Sequence, residues 1–318
     1  MPLAQVNGLQ LDYEMIGDPS APPLLLVMGL GMPAALWPDE FLQALLDRGL
    51  RVIRFDNRDS GGSTRLTGER GMNVPRAIMR ALLRRPVPSP YDLDDMARDA
   101  AGLLDHLGIE SAHVAGISMG GMIAQVLAAR QPQRVRSLVS IMSSTGNPQR
   151  KIAFGKRWAL QAILRAPPPA DDIEAMVQHL TRVFSVIGSP GYPIDPAAVR
   201  SHFERVARRG LYREGTERQL LAILGSGDRR AMLQHVAAPT LVVHGADDPL
   251  VPLAAGLDTA RHIGGARMEV VPGMGHDIPM ELTTFLAARI AEHCRSATAA
   301  PETAFPPRAT GRPSSTPA

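Results

Sequence analysis

The chain has 318 residues, of which 45% are hydrophobic and 20% charged, values typical of a globular protein large enough to bury a substantial core. The formal net charge of +3 is too small to indicate binding to nucleic acid. Because Cys294 is the single cysteine, an intrachain disulfide is excluded, and the composition suits a reducing compartment.

The N-terminal residues 1–7 contain neither the basic nor the apolar segment of a secretory signal, and the longest apolar run, residues 24–30, is too short to span a bilayer. We therefore expect a cytoplasmic protein without a membrane span. The sequence also lacks a phosphate-binding Gly-x-x-x-x-Gly-Lys loop, a complete Gly-x-Gly-x-x-Gly motif and a Cys/His cluster with zinc spacing. We expect neither a cofactor nor a metal.

Strand and helix patterns alternate through residues 1–146, which we assign to the first part of a core domain. Asn7-Gly8 predicts a hairpin turn within residues 5–16, and the apolar run at 24–28 predicts a strand buried on both faces. Further strands are predicted at 51–55, 112–116 and 135–142, and helices at 39–48, 76–85, 93–107 and 119–130. This alternation predicts a mostly parallel, doubly wound sheet of the α/β class.

The strand signal disappears between residues 147 and 231. Helical patterns instead occupy 150–165, 171–187, 196–209 and 216–224, separated by stretches rich in proline and glycine. We interpret residues 147–231 as a helical lid inserted between two strands of the sheet. Basic residues outnumber acidic residues in this segment, which we attribute to solvated arginine-rich helix faces rather than to an anionic ligand.

The core resumes over residues 232–296. Strands are predicted at 240–244 and 267–271, and helices at 253–262 and 279–295. Residues 297–318 are rich in Ala, Pro, Thr and Ser without an apolar period, so we expect a disordered tail there.

Gly116-Ile117-Ser118-Met119-Gly120 lies where a predicted strand passes into a predicted helix. A serine between two glycines at such a turn is typical of a nucleophile elbow. The sharp turn forces the serine into a strained backbone conformation, and the flanking glycines relieve the crowding. Ser118 is therefore the predicted nucleophile. The backbone N–H of Met119 is the first predicted donor to an oxyanion.

A serine hydroxyl needs a base within hydrogen-bond reach, and the base needs a third group that orients it. His276 follows the last predicted strand, and loops at the carboxyl ends of parallel strands share one edge of the sheet with the elbow. We predict that His276 is the base, and that His244, at a strand end, packs in the interior. The histidines on predicted helices are expected at the surface: His106, His179, His202, His262 and His293.

The orienting carboxylate is expected in another loop at this edge. No Asp or Glu lies between the predicted strand 135–142 and Asp171, which excludes the loop after that strand. The loop 245–252 contains both Asp247 and Asp248. We favour Asp248 because it precedes a proline that stiffens the loop, and Asp247 is the alternative.

The second oxyanion donor is expected in the loop after the strand 24–28. Gly29-Leu30-Gly31 allows the backbone to approach closely, and we assign the donor to the N–H of Leu30. The other interpretation is that these glycines only form a turn. That turn would lie at the same edge of the sheet, so the two interpretations are compatible. Four residues are candidates to line the substrate pocket: Gly29, Trp37, Met122 and Ser143.

Three motifs resemble those of the α/β-hydrolase superfamily, with the triad order Ser118, Asp248, His276: residues 116–120, 245–252 and 273–276. The resemblance covers roughly residues 5–295. Three further stretches are similar to bacterial esterases related to aclacinomycin methylesterase: residues 27–31, 37–41 and 51–61. Met28 departs from the pattern, since many hydrolases have His before the oxyanion glycine. The resemblance implies an enzyme with the α/β-hydrolase fold that hydrolyses a carboxylic ester. A polyketide methyl ester is one implied substrate.

These residues predict a two-step acyl transfer in which Ser118 attacks an ester carbonyl, His276 moves the proton and Asp248 orients the imidazole. The expected partner is a small-molecule, mostly apolar ester. The same triad also serves perhydrolysis, lactone opening or C–C bond hydrolysis without a cofactor, and these stay as alternatives. A binding protein that keeps the fold without turnover is a further alternative, although such proteins usually lack a triad member.

Overall fold

The protein is described by a computed structural model that covers residues 2–68, 71–149, 152 and 155–299. Eight strands form one sheet across these residues: β1 (Leu3–Val6), β2 (Leu9–Ile16), β3 (Pro23–Val27), β4 (Arg51–Phe55), β5 (Ala112–Ile117), β6 (Val135–Ile141), β7 (Thr240–Gly245) and β8 (Arg267–Val271). Their order across the sheet is β1-β2-β4-β3-β5-β6-β7-β8. The β1–β2 and β2–β4 pairs are antiparallel and the others are parallel. The prediction of a mostly parallel sheet is therefore confirmed.

The described residues form these α-helices: α1 (Asp39–Leu46), α2 (Val74–Leu82), α3 (Leu93–His106), α4 (Met119–Arg130), α5 (Arg157–Ile163), α6 (Ile173–Ile187), α7 (Pro196–Arg209), α8 (Arg213–Ser226), α9 (Arg230–Leu233), α10 (Leu253–His262) and α11 (Thr283–Ala299). Some of them cover the two faces of the sheet. The helices α1 and α11 pack together on one face, and α3 and α4 pack together on the other. Within the part of the chain that the structure describes, no helix is long and apolar enough to cross a membrane.

The central strand β3 is a continuous apolar run because side chains on both of its faces are buried. Leu24 and Leu26 belong to the core cluster beneath α1 and α11, whereas Leu25 and Val27 belong to the cluster beneath α3 and α4. All four side chains are fully buried, and each contributes roughly 1.5–3 kcal/mol by leaving water.

The strand register aligns the ends of β3, β5 and β6. Val27 pairs with Gly116, and Ile117 pairs with Ile141, so the loops that follow these strands leave from the same edge of the sheet. The ends of β7 and β8 also align, with Gly245 opposite Val271. This edge therefore collects the loops that carry the chemically interesting side chains.

The helices α5 to α9, which we call the helical insertion, lie between β6 and β7. Among the described residues of this segment no strand occurs. Side chains of α6 and α7 form a separate apolar cluster that packs against Met32 and Leu36 in the segment after β3. The helical insertion therefore lies over the edge at which β3 ends. The proposed lid boundary at residue 231 falls inside α9.

Two predicted segments differ from the structure at their ends. The last helix extends to Ala299, so residues 297–299 belong to α11 and not to the predicted tail. The hydroxyl of Thr298 donates to the carbonyl of Cys294 at 3.0 Å in this last turn. Residues 300–318 of the predicted tail, and residues 150, 151, 153 and 154 of the predicted helix 150–165, lie outside the described residues.

Candidate active site

The turn between β5 and α4 holds Ser118 in a backbone conformation that few residues with side chains adopt. Its φ is 55° and its ψ is −118°, which costs of order 1–3 kcal/mol. A Cβ atom on Gly116 would lie 2.1 Å from the carbonyl oxygen of Gly120, and one on Gly120 would lie 2.0 Å from that of Val27. Only glycine fits at these two positions, and this packing keeps the turn in place.

The structure brings Ser118, His276 and Asp248 together from three different loops. The distance from Ser118 Oγ to His276 Nε2 is 3.1 Å, and that from His276 Nδ1 to Asp248 Oδ2 is 2.7 Å. The other carboxylate oxygen of Asp248 accepts hydrogen bonds from the N–H groups of Leu250 and Val251, both at 2.8 Å. With its Nδ1 proton donated to Asp248, His276 has a free Nε2 lone pair directed at the serine hydroxyl.

The two candidate acids have different surroundings. The side chain of Asp248 is fully buried beside His276, whereas Asp247 is exposed. The Oδ2 atom of Asp247 accepts a hydrogen bond from the N–H of Gly273 at 3.0 Å, and the backbone N–H of Asp247 donates to the carbonyl of Met274. Asp247 therefore ties the loop after β7 to the loop after β8, and Asp248 alone contacts the imidazole.

One buried histidine was predicted to be buried, and two others were not. His244 is fully buried, as predicted, and its Nε2 lies 2.8 Å from the carbonyl of Val251. Burial lowers the pKa of His244, so its imidazole stays neutral and donates to that carbonyl. The prediction that His179 and His293 lie at the surface is wrong, since they are 7% and 2% exposed. His293 Nε2 lies 3.2 Å from the carbonyl of Leu138 in β6 and 3.1 Å from that of Pro239, which precedes β7, and His179 faces a cavity.

The loop after β3 packs against the elbow. A Cβ atom on Gly29 would lie 3.4 Å from the Cβ of Ser118, which shows how closely the two segments approach. Across the described residues, no protein group accepts a hydrogen bond from the N–H of Leu30. The N–H of Met119 belongs to the first residue of α4, where a helix leaves its amides without internal partners. Both amides are therefore available beside Ser118.

Two buried amide side chains that were not predicted from the sequence hold this loop. Asn57 Nδ2 donates to the carbonyl of Met28 at 2.9 Å. Gln219 Oε1 accepts from the N–H of Gly31 at 2.7 Å, and its Nε2 donates to the carbonyl of Arg58 at 2.7 Å. Asn57 lies in residues 51–61, whose resemblance to known esterases did not assign it a role. No local pattern could identify Gln219, because it lies 188 residues from Gly31.

Replacement of Gln219 by leucine is expected to lower kcat by about 10–100-fold, because the loop that carries the Leu30 amide loses its support and an oxyanion donor is worth about 3 kcal/mol. The N–H of Gly31 and the carbonyl of Arg58 would also lose their hydrogen-bond partner, which lowers the free energy of unfolding by about 1–3 kcal/mol. Steady-state ester hydrolysis and thermal unfolding test both effects. Gln178→Leu on the exposed face of α6 is the matched control, and equal kcat values for the two variants would refute this role for Gln219.

Ion pairs connect the helical insertion to the turn after β4. Arg218 on α8 donates to both carboxylate oxygens of Asp59, at 2.7 and 2.8 Å, and this pair is buried. Arg209 on α7 donates to Asp56 at 2.6 Å. The same Asp56 accepts from the N–H of Ala34 in the segment after β3. Because removal of one member of a buried pair typically costs 3–5 kcal/mol, these contacts hold the insertion against the core.

A cavity of about 1770 Å³ opens in front of Ser118 and His276, between the sheet edge and the helical insertion. Three of the four candidate pocket residues line it: Gly29, Trp37 and Met122. Ser143 lies outside the lining, because its buried hydroxyl donates to the carbonyl of Ser118 at 2.7 Å, behind the nucleophile. The cavity is bounded mainly by apolar side chains, including those of Phe184, Ile187 and Phe203 on the insertion.

Asp277 lies in the cavity wall next to the candidate base. The hydroxyl of Ser189 donates to Asp277 Oδ1 at 2.5 Å and accepts from the N–H of Gly275 at 2.8 Å. Burial disfavours the charged form and raises the pKa of Asp277 from its ordinary value of 3.8 to about 6. Ser189 and Asp277 therefore join the end of α6 to the loop that carries His276.

The raised pKa of Asp277 predicts a pH-dependent stability. Between pH 3.8 and about 6 the folded chain binds a proton at Asp277 that the unfolded chain releases, so this contribution to stability is lost as pH rises through about 6. Asp277→Asn mimics the protonated carboxyl and removes this loss. The Tm difference between variant and wild type is expected to increase from pH 4 to pH 7, as measured by thermal unfolding. The exposed Asp171→Asn is the control, and a flat difference for Asp277→Asn would contradict the prediction.

Residues 22–282 match the family model of the alpha/beta hydrolase fold, so the chain belongs to the α/β-hydrolase family. A rhodomycin D methylesterase from Streptomyces peucetius is 30% identical over 301 residues, covering 90% of this chain and 95% of that protein. The Variovorax paradoxus protein described as a putative carbamate hydrolase is 31% identical over 275 residues, covering 84% of this chain and 90% of that protein.

Solved structures share the fold. The enol-lactonase from Burkholderia xenovorans superposes with a TM-score of 0.70 at 24% identity, covering 92% of this chain and all of that chain. The prediction of an α/β-hydrolase fold, and of a resemblance to bacterial methylesterases, is thus confirmed. The methylesterase relatives support the prediction of a carboxylic ester hydrolase.

Proposed function

We propose that this protein hydrolyses a carboxylic ester through a covalent acyl-enzyme on Ser118. The observation that carries the proposal is the hydrogen-bonded chain from Ser118 Oγ through His276 to the buried Asp248, with the serine exposed to a large cavity. A nucleophile, a base and an orienting acid in this arrangement are what acyl transfer by serine requires.

The mechanism begins when the proton of the Ser118 hydroxyl passes to His276 Nε2 and Oγ bonds to the ester carbonyl carbon. The carbonyl oxygen becomes an oxyanion, which accepts hydrogen bonds from the N–H groups of Leu30 and Met119. Asp248 stabilises the imidazolium ion. His276 then gives its proton to the departing alkoxide, which leaves as an alcohol. In the second step a water molecule loses a proton to His276 and attacks the acyl carbon, which releases the carboxylic acid and restores Ser118.

We extend the proposal to a methyl ester of a bulky, mostly apolar acid. The cavity of about 1770 Å³ exceeds the roughly 300–1,000 Å³ typical of pockets for small ligands. The relatives named as rhodomycin D methylesterases act on a methyl ester, and they match 90% of this chain. The helical insertion would then act as a lid whose apolar side chains select the acyl group.

Rates on a panel of esters test this proposal. We expect kcat/KM for the methyl ester of a polycyclic aromatic acid to exceed that for methyl acetate by at least about 100-fold, since burial of apolar area contributes about 25 cal/mol per Å². A lactone and a β-diketone are included as substrates for the alternative reactions. Turnover of either of these, with no turnover of any ester, would reject ester hydrolysis in favour of lactone opening or C–C bond cleavage.

Asparagine substitutions at the two neighbouring acids distinguish their roles. Asp248→Asn is expected to lower kcat by about 10⁴-fold, because the imidazole loses the carboxylate that selects its tautomer and stabilises its charge. Asp247→Asn is expected to stay within a few-fold of wild type, since the amide oxygen still accepts from the N–H of Gly273. Steady-state kinetics of the two variants, with Tm as the check on folding, measures this. The reverse result would assign the acid to Asp247.

A further inference from the structure

The helix α2 exposes a row of large apolar side chains. Met79 and Leu82 on the helix, and Leu83 directly after it, follow the spacing i, i+3, i+4 on one face, and they are 56%, 51% and 58% exposed. The opposite face packs through Ala77 and Ala81 against the rest of the protein, in a small cluster that includes Leu221 of α8. The outward face of α2 therefore has no apolar partner within the described residues.

The helix α5 presents a second exposed apolar set beside the same cavity. Trp158 is 51% exposed and Leu164, directly after α5, is 47% exposed, whereas Ala159 is buried against α6. Leu82 and Leu164 both line the cavity although each is about half exposed, so they lie at its opening. We call Met79, Leu82, Leu83, Trp158 and Leu164 the mouth surface.

The two segments that carry the mouth surface contain only positive charges. Residues 71–91 and 155–169 contain no Asp or Glu, and they carry seven basic residues: Arg76, Arg80, Arg84, Arg85, Lys156, Arg157 and Arg165. In the part of the chain that the structure describes, none of these seven forms an ion pair. These positive charges therefore have no carboxylate partner among the residues that the structure describes.

We propose that the mouth surface docks on an anionic lipid bilayer, so that the cavity opens towards the membrane interface and receives an apolar ligand from it. Exposed leucine, methionine and tryptophan side chains beside arginines match an interfacial membrane-binding surface, with the apolar groups among the acyl chains and the guanidinium groups on lipid phosphates. The docking that we propose is peripheral, at the surface of the bilayer.

Other occupants fit the surface less well. A nucleic acid or an acidic protein face would neutralise the arginines but would leave the leucines and Trp158 without an apolar partner. A second copy of this chain would cover the apolar groups, but it would oppose two positively charged surfaces across one interface. A bilayer that contains anionic lipid satisfies both features at once.

Vesicle binding of the full chain tests the proposal. We expect the protein to float with vesicles of phosphatidylcholine mixed with phosphatidylglycerol, to bind phosphatidylcholine alone more weakly, and to dissociate as salt is raised. The chain has two tryptophans, and Trp37 is fully buried. A blue shift of tryptophan fluorescence on binding therefore reports Trp158, and Trp158→Phe should abolish it. If wild type does not bind the anionic vesicles, the proposal is overturned.

Paired variants separate specific docking from general charge attraction. Arg84→Asn/Arg85→Gln is expected to weaken binding on the order of thirtyfold, at about one tenfold step per 1.4 kcal/mol and about 1 kcal/mol per basic residue. Asparagine is used at position 84 because its φ is 53°. Leu82→Ser/Leu83→Ser is expected to weaken binding at least as strongly.

The matched controls are Arg261→Gln/Arg295→Gln, which removes two exposed charges elsewhere, and Leu3→Ser/Phe285→Ser, which removes two exposed apolar side chains elsewhere. We expect both controls to bind like wild type, and equal losses in these controls would overturn the proposal. Light scattering gives the other decisive outcome. A dimer that Leu82→Ser/Leu83→Ser abolishes, without vesicle binding by wild type, would assign the surface to a second copy.

Discussion

Alanine at Ser118 or at His276 is expected to lower kcat by about 10⁴–10⁶-fold, with little change in KM. Each substitution removes a group on which bond formation depends, whereas the cavity that binds the substrate stays intact. Because the two side chains act as one unit across 3.1 Å, the double variant should be no slower than either single variant. Steady-state kinetics with a methyl ester measures all three, and thermal unfolding verifies that each variant folds.

Ser144→Ala is the matched control for these substitutions. Ser144 also lines the cavity, but the hydrogen-bond partners of the His276 side chain are Ser118 and Asp248, so the loss of the Ser144 hydroxyl should change kcat by a few-fold at most. A Ser118→Ala variant that folds and retains kcat within about tenfold of wild type would show that the triad does not carry the reaction.

Alanine at Gly120 is expected to destabilise the fold by at least about 4 kcal/mol, a large share of the 5–15 kcal/mol that stabilises a typical domain. The added methyl would lie 2.0 Å from the carbonyl oxygen of Val27 and 2.7 Å from that of Met28. These are backbone atoms at the end of the central strand β3, so they cannot move aside without disturbing the sheet. Chemical denaturation, or recovery of soluble protein, measures the effect.

Gly264→Ala provides the control for this substitution, because a Cβ atom at Gly264 meets no atom within 4 Å. Its unfolding midpoint should match that of wild type. If Gly120→Ala unfolds at the same denaturant concentration as Gly264→Ala, the tight contact between the elbow and β3 does not exist in solution.

The features that could be predicted well from the sequence are those that short stretches of consecutive residues determine. The elbow is encoded by the glycines at positions 116 and 120, and the strands by short apolar runs. The meeting of Ser118 with His276 then follows from topology, because loops after parallel strands leave from one edge of the sheet. The family resemblance and the alternation of strands and helices both predicted an α/β-hydrolase fold. The match of residues 22–282 to that family confirms the fold.

The features that the sequence did not predict depend on contacts between distant segments. Gln219 supports the loop after β3 from a helix 188 residues away, and no periodicity identifies such a pairing. His179 and His293 are buried because other elements cover their helix faces, and a helical pattern alone does not show what lies against it. The mouth surface likewise requires α2 and α5 to border one cavity, a relation that neither segment reveals by itself.

Covalent labelling of the full chain with a fluorophosphonate tests whether Ser118 is an activated nucleophile. Intact-protein and peptide mass spectrometry read the result. We expect a single adduct on Ser118, and no adduct in the His276→Ala variant, because the unassisted hydroxyl is a poor nucleophile. A small methylphosphonate probe, run in parallel, excludes a steric block by the helical insertion. Failure of both probes to label folded protein, or an adduct on another serine, would contradict the proposed catalytic triad.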